Sequence, residues 1–363
     1  MTTPQDIRAT ILDHMGTKAT GALLDRLEQV TKTGEDAVFG DLPDFDSLDA
    51  VELCLLLEET YDVPVDIADF ARVATLDEFA RSIAARIGGT AEQKADPQSD
   101  QLIVLQAGKA DVTPLFLVHA GGGGILYYKN LVAGIHPDVP VYGFQMRGID
   151  GKSEPPESIE EMADHYAGII LELQPAGPWR VAGYSGGGVI AYEVVRRLLA
   201  AEKGDVRLAM IDTLCPAIYQ AKQSFLERLR NKRLWTLDGA RRELRNTMRR
   251  IRERGTRQEL REAHSSAEPT PAKLLELKMF NAYGAAQRRY RATPLWGSML
   301  LVRGNIVDEH HFRAGRALAW ERVLDGEIEV VELQADHGSI MKPPAVDRVA
   351  GELSRYLGLP AQA

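Results

Sequence analysis

A chain of 363 residues that is 45% hydrophobic and 26% charged is too apolar to be disordered and long enough for two or three domains. No run reaches the roughly 18 apolar residues a spanning helix needs, and the opening MTTPQDIRAT has neither the basic start nor the apolar stretch of a secretory signal. The composition therefore predicts a cytoplasmic protein with no membrane partner. Cys54 and Cys215 lie in separate apolar segments, which excludes a disulfide framework and a cysteine metal site.

The net charge of -9 is unevenly placed. Residues 1–88 carry 7 Lys and Arg against 18 Asp and Glu, and residues 222–261 hold 14 basic against 5 acidic side chains. An acidic module is thus joined to a near-neutral body containing one strongly basic stretch. An attached domain of opposite sign would compete for that basic face, so nucleic-acid binding is not expected.

The first 88 residues read as helical. Thr3 is placed to cap a helix with Pro4 in its first turn, and Ile7, Ile11, Leu12 and Met15 fall on one stripe. A further helix runs from about Leu48, and a last one opens with the capping box Thr75 to Glu78, turning Phe79, Ile83 and Ile87 inward. Residues 89–101, GGTAEQKADPQSD, read as a solvated linker.

From residue 102 the period changes. Short apolar runs predict strands at 115–118, 139–144, 180–183, 208–212, 299–302 and 329–333, with helices near 159–173, 189–200 and 347–357. Strands alternating with helices predict a parallel α/β sheet covered on both faces. Residues 217–293 form a long, Arg-rich helical insertion between two strands, the position of a lid.

Gly183-Tyr184-Ser185-Gly186-Gly187 fits G-x-S-x-G between a strand, WRVAG, and a helix, GVIAYEVVRRLLA. So sharp a reversal strains the serine and requires small neighbours, and it lifts the hydroxyl out of the sheet. Serine needs a base, and the base an orienting acid. His337 follows the last strand and precedes the last helix, the place for the base. Asp212 ends the strand after the nucleophile helix, giving the chain order Ser, Asp, His of the α/β-hydrolases. Asp308, past the next strand, is the competing acid, and Asp336 reads as a turn residue. Oxyanion donors are expected from the backbone of Gly186, next after the serine, and of Gly121 in His119-Ala120-Gly121-Gly122-Gly123-Gly124. Neither a Walker nor a Rossmann spacing is present in that glycine run.

Asp46-Ser47-Leu48 opens an apolar, acid-rich helix, where a serine reads first as an N-cap. In this setting it resembles the acyl carrier proteins over residues 1–88, with Asp44 where a glycine is usual. The resemblance implies a four-helix bundle and a 4'-phosphopantetheine arm carried covalently on Ser47. Residues 102–363 resemble the type I thioesterase domains that end polyketide and nonribosomal peptide assembly lines, through PLFLVHAGGGG, VAGYSGGG, LAMIDTLCP and ADHGSIMKPP, with Ala120 where a proline is usual. This second resemblance implies an α/β-hydrolase fold with a helical lid, Ser185 as nucleophile, His337 as base and Asp212 as acid, and no metal.

The expectation is a carrier–thioesterase didomain that releases an acyl or peptidyl thioester by hydrolysis or cyclisation. Its partners would be a phosphopantetheinyl transferase and upstream synthase modules, and the charge asymmetry predicts weak, salt-sensitive docking of the carrier on the lid. Three alternatives stay open: a catalytically silent tethering scaffold, transfer of the chain to an amine or carbon nucleophile, and a free esterase of small substrates with an unrelated helical cap.

Overall fold

A computed structural model describes residues 2–19, 21–37, 42, 47–65, 69, 70, 73, 75–88, 101–220, 271–306 and 314–361. The linker at 89–100 and the basic stretch at 222–261 lie outside the described residues, as does Asp308.

The N-terminal region has four described helices: α1 (Pro4–Lys18), α2 (Gly21–Thr33), α3 (Ser47–Tyr61) and α4 (Leu76–Ile87). Both capping expectations hold. The Thr3 hydroxyl accepts from the Asp6 N–H with Pro4 opening α1, and Thr75 and Glu78 close a reciprocal box on α4. Caps of this kind leave two fewer orphan amides at each helix start, so the helix boundaries follow from local sequence. The predicted stripe of Ile7, Ile11, Leu12 and Met15 is buried, against Leu53, Leu57, Phe79 and Ile83. Phe70 and Phe79 pack with ring centroids 4.2 Å apart. Arg86 grips the buried Asp69 carboxylate with two hydrogen bonds of 2.7 Å.

The C-terminal region is a seven-stranded sheet in the order β1-β3-β2-β4-β5-β6-β7, comprising β1 (Leu102–Gln106), β2 (Leu115–Val118), β3 (Val141–Phe144), β4 (Trp179–Tyr184), β5 (Val206–Ile211), β6 (Leu295–Gly304) and β7 (Leu324–Leu333). Among the described residues only the β1–β3 pair is antiparallel. Alternate side chains of β2 enter opposite layers: Phe116 and Val118 join α6 (Ile159–Leu173) and α7 (Gly186–Ala200), while Leu115 and Leu117 join α5 (Lys129–Ala133) and α10 (Ala345–Leu357). Burial on both faces is why these strands read as continuous apolar runs.

Two features differ from the sequence reading. β1 adds an edge strand at the end of the expected linker, where Ile103 is buried but Val104 is exposed, so its apolar signal is too short to register. β6 and β7 begin four or five residues earlier than expected, because their N-terminal halves pair at the sheet edge with polar and exposed side chains, Trp296 among them. The insertion between β5 and β6 is described at its ends, as α8 (Ala217–Gln220) and α9 (Pro271–Arg289).

Glycines build the β4–α7 turn. A Cβ on Gly187 would sit 2.3 Å from the Val118 carbonyl oxygen and 2.5 Å from that of His119. Both obstacles are backbone, so neither can rotate away. Gly187→Ala is expected to lower stability by about 1–3 kcal/mol or more, read as a drop in the thermal midpoint with far-UV dichroism as the check on folding.

Candidate active site

Ser185 stands at the tip of β4 with φ 53° and ψ -124°, ahead of the first turn of α7. A non-glycine residue at positive φ is strained, and here it is held by the Ser185 N–H bond to the Ile211 carbonyl, 2.9 Å. Asp212 follows β5, also at positive φ (46°), with its N–H on the Val302 carbonyl at 2.8 Å. His337 lies in the loop after β7. Three strand ends therefore converge although the residues are far apart in sequence.

The His337 Nε2 lies 3.0 Å from the Ser185 Oγ, and its Nδ1 lies 2.7 Å from the Asp212 Oδ2. The other carboxylate oxygen of Asp212 accepts the Gly304 N–H at 3.1 Å. A carboxylate accepts only, so Nδ1 carries the proton and Nε2 is free to accept from the serine. Asp212 is 2% exposed at its side chain and His337 44%: the acid is enclosed, whereas the imidazole edge faces the approach. Asp336, expected in a turn, accepts from the Ser339 N–H at 2.8 Å and does not face the His337 ring as its acid.

Tyrosines that sequence reasoning did not single out hold this arrangement. The Tyr184 ring stacks on the His337 ring at 5.1 Å and 26°, and its hydroxyl donates to the His337 carbonyl at 2.5 Å. The Tyr128 hydroxyl accepts the Tyr184 N–H and donates to the Val118 carbonyl, both at 2.8 Å. Where the resemblance places a proline, Ala120 has an N–H, and the Tyr127 hydroxyl accepts it. The pairing of Tyr127 and Tyr128, with two residues between it and the glycine run, was the available signal.

The same glycine loop is anchored by His119, which is fully buried. Its Nδ1 donates to the Ala120 carbonyl at 2.7 Å and its Nε2 takes the Tyr166 hydroxyl at 2.9 Å. Burial pushes the imidazole down to about 4, against a smaller opposing pull from the Ala120 carbonyl. The unfolded chain would bind this proton at the ordinary value of 6.5, so between there and about pH 4 the unfolded state binds more protons and stability falls as pH falls. We expect the His119 contribution to reach about 3 kcal/mol. Urea unfolding of the native chain and His119→Gln from pH 7.5 to 4 checks this, because the variant should show a shallower decline.

Gly121 lies in the loop after β2 and Gly186 opens α7 next to the serine, and the Tyr283 ring lies close to both. Among the described residues neither backbone N–H has a hydrogen-bond acceptor, which leaves both available to an incoming oxyanion. Ser47 is the first residue of α3, and the dipole of a helix N-terminus suits a phosphodiester. α3 lies against α9, and Glu58 near its far end meets Lys152 of the C-terminal region at 3.2 Å.

A parallel sheet with a strained serine after one strand and an acid and a histidine after later ones defines the α/β-hydrolase class. The chain belongs to the thioesterase domain family, matched over residues 113–357, and residues 22–83 match the phosphopantetheine attachment site. The N-terminal region is thus a phosphopantetheine carrier. The polyketide synthase PksR of Bacillus subtilis is 34% identical over 170 residues, covering 47% of this chain and 7% of that protein. The nonribosomal peptide synthetase atqA of Aspergillus terreus is 39% identical over 130 residues, covering 35% of this chain and 13% of its own length. The chain therefore spans a small part of these relatives. Among solved structures, a four-domain nonribosomal peptide synthetase, holo-AB3403 bound to AMP and glycine, aligns over 92% of this chain and 25% of its own, with a TM-score of 0.56 at 23% identity. That likeness is one of fold. Among the described residues no helix is long and apolar enough to cross a membrane.

Proposed function

We propose that the chain holds an acyl thioester on Ser47 and releases it through an acyl-Ser185 intermediate. The observation that carries this reading is the continuous path from the Ser185 Oγ through His337 to the buried Asp212, with contacts of 3.0 and 2.7 Å. Bound phosphopantetheine supplies the thiol that carries the acyl group and the reach to bring it to the hydrolase.

His337 Nε2 takes the proton of the Ser185 hydroxyl as Oγ attacks the thioester carbonyl. Asp212 stabilises the imidazolium through Nδ1, and the N–H groups of Gly121 and Gly186 receive the negative oxygen. As the carbon–sulfur bond breaks, His337 passes its proton to the departing sulfur. In the second half His337 removes a proton from water, or from a nucleophile within the chain, which attacks the ester, and then returns that proton to Ser185 Oγ. Water yields a free acid and an internal nucleophile a ring. The boundaries fitting this division are a carrier at 1–88, a linker at 89–101 and a hydrolase at 102–363, with a phosphopantetheinyl transferase and upstream synthase modules as partners.

The contact of α3 with α9 and the Glu58–Lys152 pair support carrier docking on the lid side. A partly exposed pair of this kind contributes only about 0–1 kcal/mol, so such docking is weak. The test is to load the chain with acyl-coenzyme A and a phosphopantetheinyl transferase and follow intact mass. The reading requires a gain of one acyl-phosphopantetheine, then its conversion to the unacylated holo form with release of product. A mass that never changes removes the carrier assignment, and a loaded form that never decays removes the releasing activity.

A further inference from the structure

The ring of Tyr283, on α9, lies across both glycines expected to hold the oxyanion. A Cβ built on Gly121 would stand 3.0 Å from its Cδ1, and one built on Gly186 would stand 2.5 Å from its Cζ and 2.6 Å from its Oη. The ring is pinned there, since its hydroxyl donates to the Gly186 carbonyl at 3.0 Å and the residue is 6% exposed. One turn earlier Phe280 stands beside Gly122, 3.1 Å from a built Cβ, but is 48% exposed. The inner aromatic thus fills the space beside Gly121 and Gly186, while the outer one is half in solvent.

We infer that Tyr283 sets the substrate class: acyl thioesters whose carbon next to the carbonyl is an unsubstituted CH₂, in preference to α-branched or aminoacyl ones. An acyl group on Ser185 with its oxygen between Gly121 and Gly186 has its first carbon beside this ring. A methyl or amide substituent there needs volume that the phenol occupies, and the hydrogen bond to Gly186 opposes the rotation that would free it. A peptidyl chain always carries an amide nitrogen and, for all residues but glycine, a side chain at that carbon. The linear acyl chain therefore fits this site and the peptidyl chain does not. The inference rests on Ser185 being the nucleophile.

The experiment compares kcat/KM for the N-acetylcysteamine thioesters of hexanoate, 2-methylhexanoate and N-acetylnorleucine, using the full chain, Tyr283→Ala, Tyr283→Leu and Tyr283→Phe. The native chain should favour hexanoate over both branched substrates by at least about tenfold, the scale on which a shaped pocket rejects a methyl group. Tyr283→Ala and Tyr283→Leu should shrink that ratio about tenfold, while Tyr283→Phe, which keeps the ring, should retain most of it. Equal rates on all three substrates with the native chain overturn the inference without reference to any variant. So does an unchanged ratio in whichever of the Ala and Leu variants keeps its thermal midpoint. Labelling of Ser185 by a small fluorophosphonate separates the two readings: no label on the native chain removes the nucleophile, whereas labelling with equal substrate rates removes only the role of Tyr283.

Discussion

Replacing Ser185 by alanine is expected to lower release of the carried acyl group by about 10⁶-fold, the scale seen when the nucleophile of a Ser-His-Asp enzyme is removed. In the proposed reaction the serine hydroxyl forms the bond with the carbonyl, and it lies 3.0 Å from the imidazole nitrogen that would take its proton. Alanine at position 185 keeps the β4–α7 turn and removes a single oxygen, so the thermal midpoint should change little. The acyl form should then persist in the intact mass spectrum while the native chain returns to its unacylated form, and fluorophosphonate labelling should vanish. Ser47→Ala provides the opposite pattern: no loading, with undiminished hydrolysis of small free thioesters. Release from Ser185→Ala at the native rate would place the chemistry elsewhere.

Asp212→Asn is expected to cost about 10⁴-fold in kcat, as the loss of the orienting carboxylate does in Ser-His-Asp enzymes. The substitution is nearly isosteric. The amide oxygen can still accept the Gly304 N–H that Asp212 accepts at 3.1 Å, which leaves the NH₂ group facing the His337 Nδ1. An NH₂ only donates, so Nδ1 must give up its proton and Nε2 must carry one. That tautomer has no lone pair for the Ser185 proton, and the imidazolium also loses its buried counter-charge. The expected signature is a collapse of kcat with a smaller change in KM and a nearly native thermal midpoint, measured on one small thioester. Retained activity would show that His337 is oriented by something other than Asp212.

Much of this site is legible in the sequence, because parts of it are local. Gly183 to Gly187 announces the strained turn, since a reversal between a strand and a helix tolerates no Cβ at positions facing backbone, as the 2.3 Å clash at Gly187 illustrates. Thr3 and Thr75 announce two helix starts for an equally local reason, a side chain bonding an amide three residues on. His337 and Asp212 are legible by their places after apolar strands. The choice of Asp212 as acid accords with its 2.7 Å contact to His337, while Asp308 lies outside the described residues. Less visible were β1 and the polar halves of β6 and β7, where a sheet edge leaves side chains in solvent and the apolar pattern thins.

The supporting shell was not legible, and the separations say why. Tyr184 meets the His337 carbonyl across 153 positions, and Tyr283 meets the Gly186 carbonyl across 97. A tyrosine bonded to a distant carbonyl has the same neighbours in sequence as one turned to water, because what selects its partner is the packing of two elements far apart along the chain. Local propensity and period already specify an acidic helical module followed by an α/β sheet with a serine at its turn. Which aromatic lies beside Gly121 and Gly186, how the Ala120 N–H finds the Tyr127 hydroxyl, and which carbonyl fixes the His337 loop arise only when α9, the glycine loop and the end of β7 pack against β4. Those contacts are set by shape and hydrogen-bond direction in three dimensions, which no run of neighbouring residues encodes.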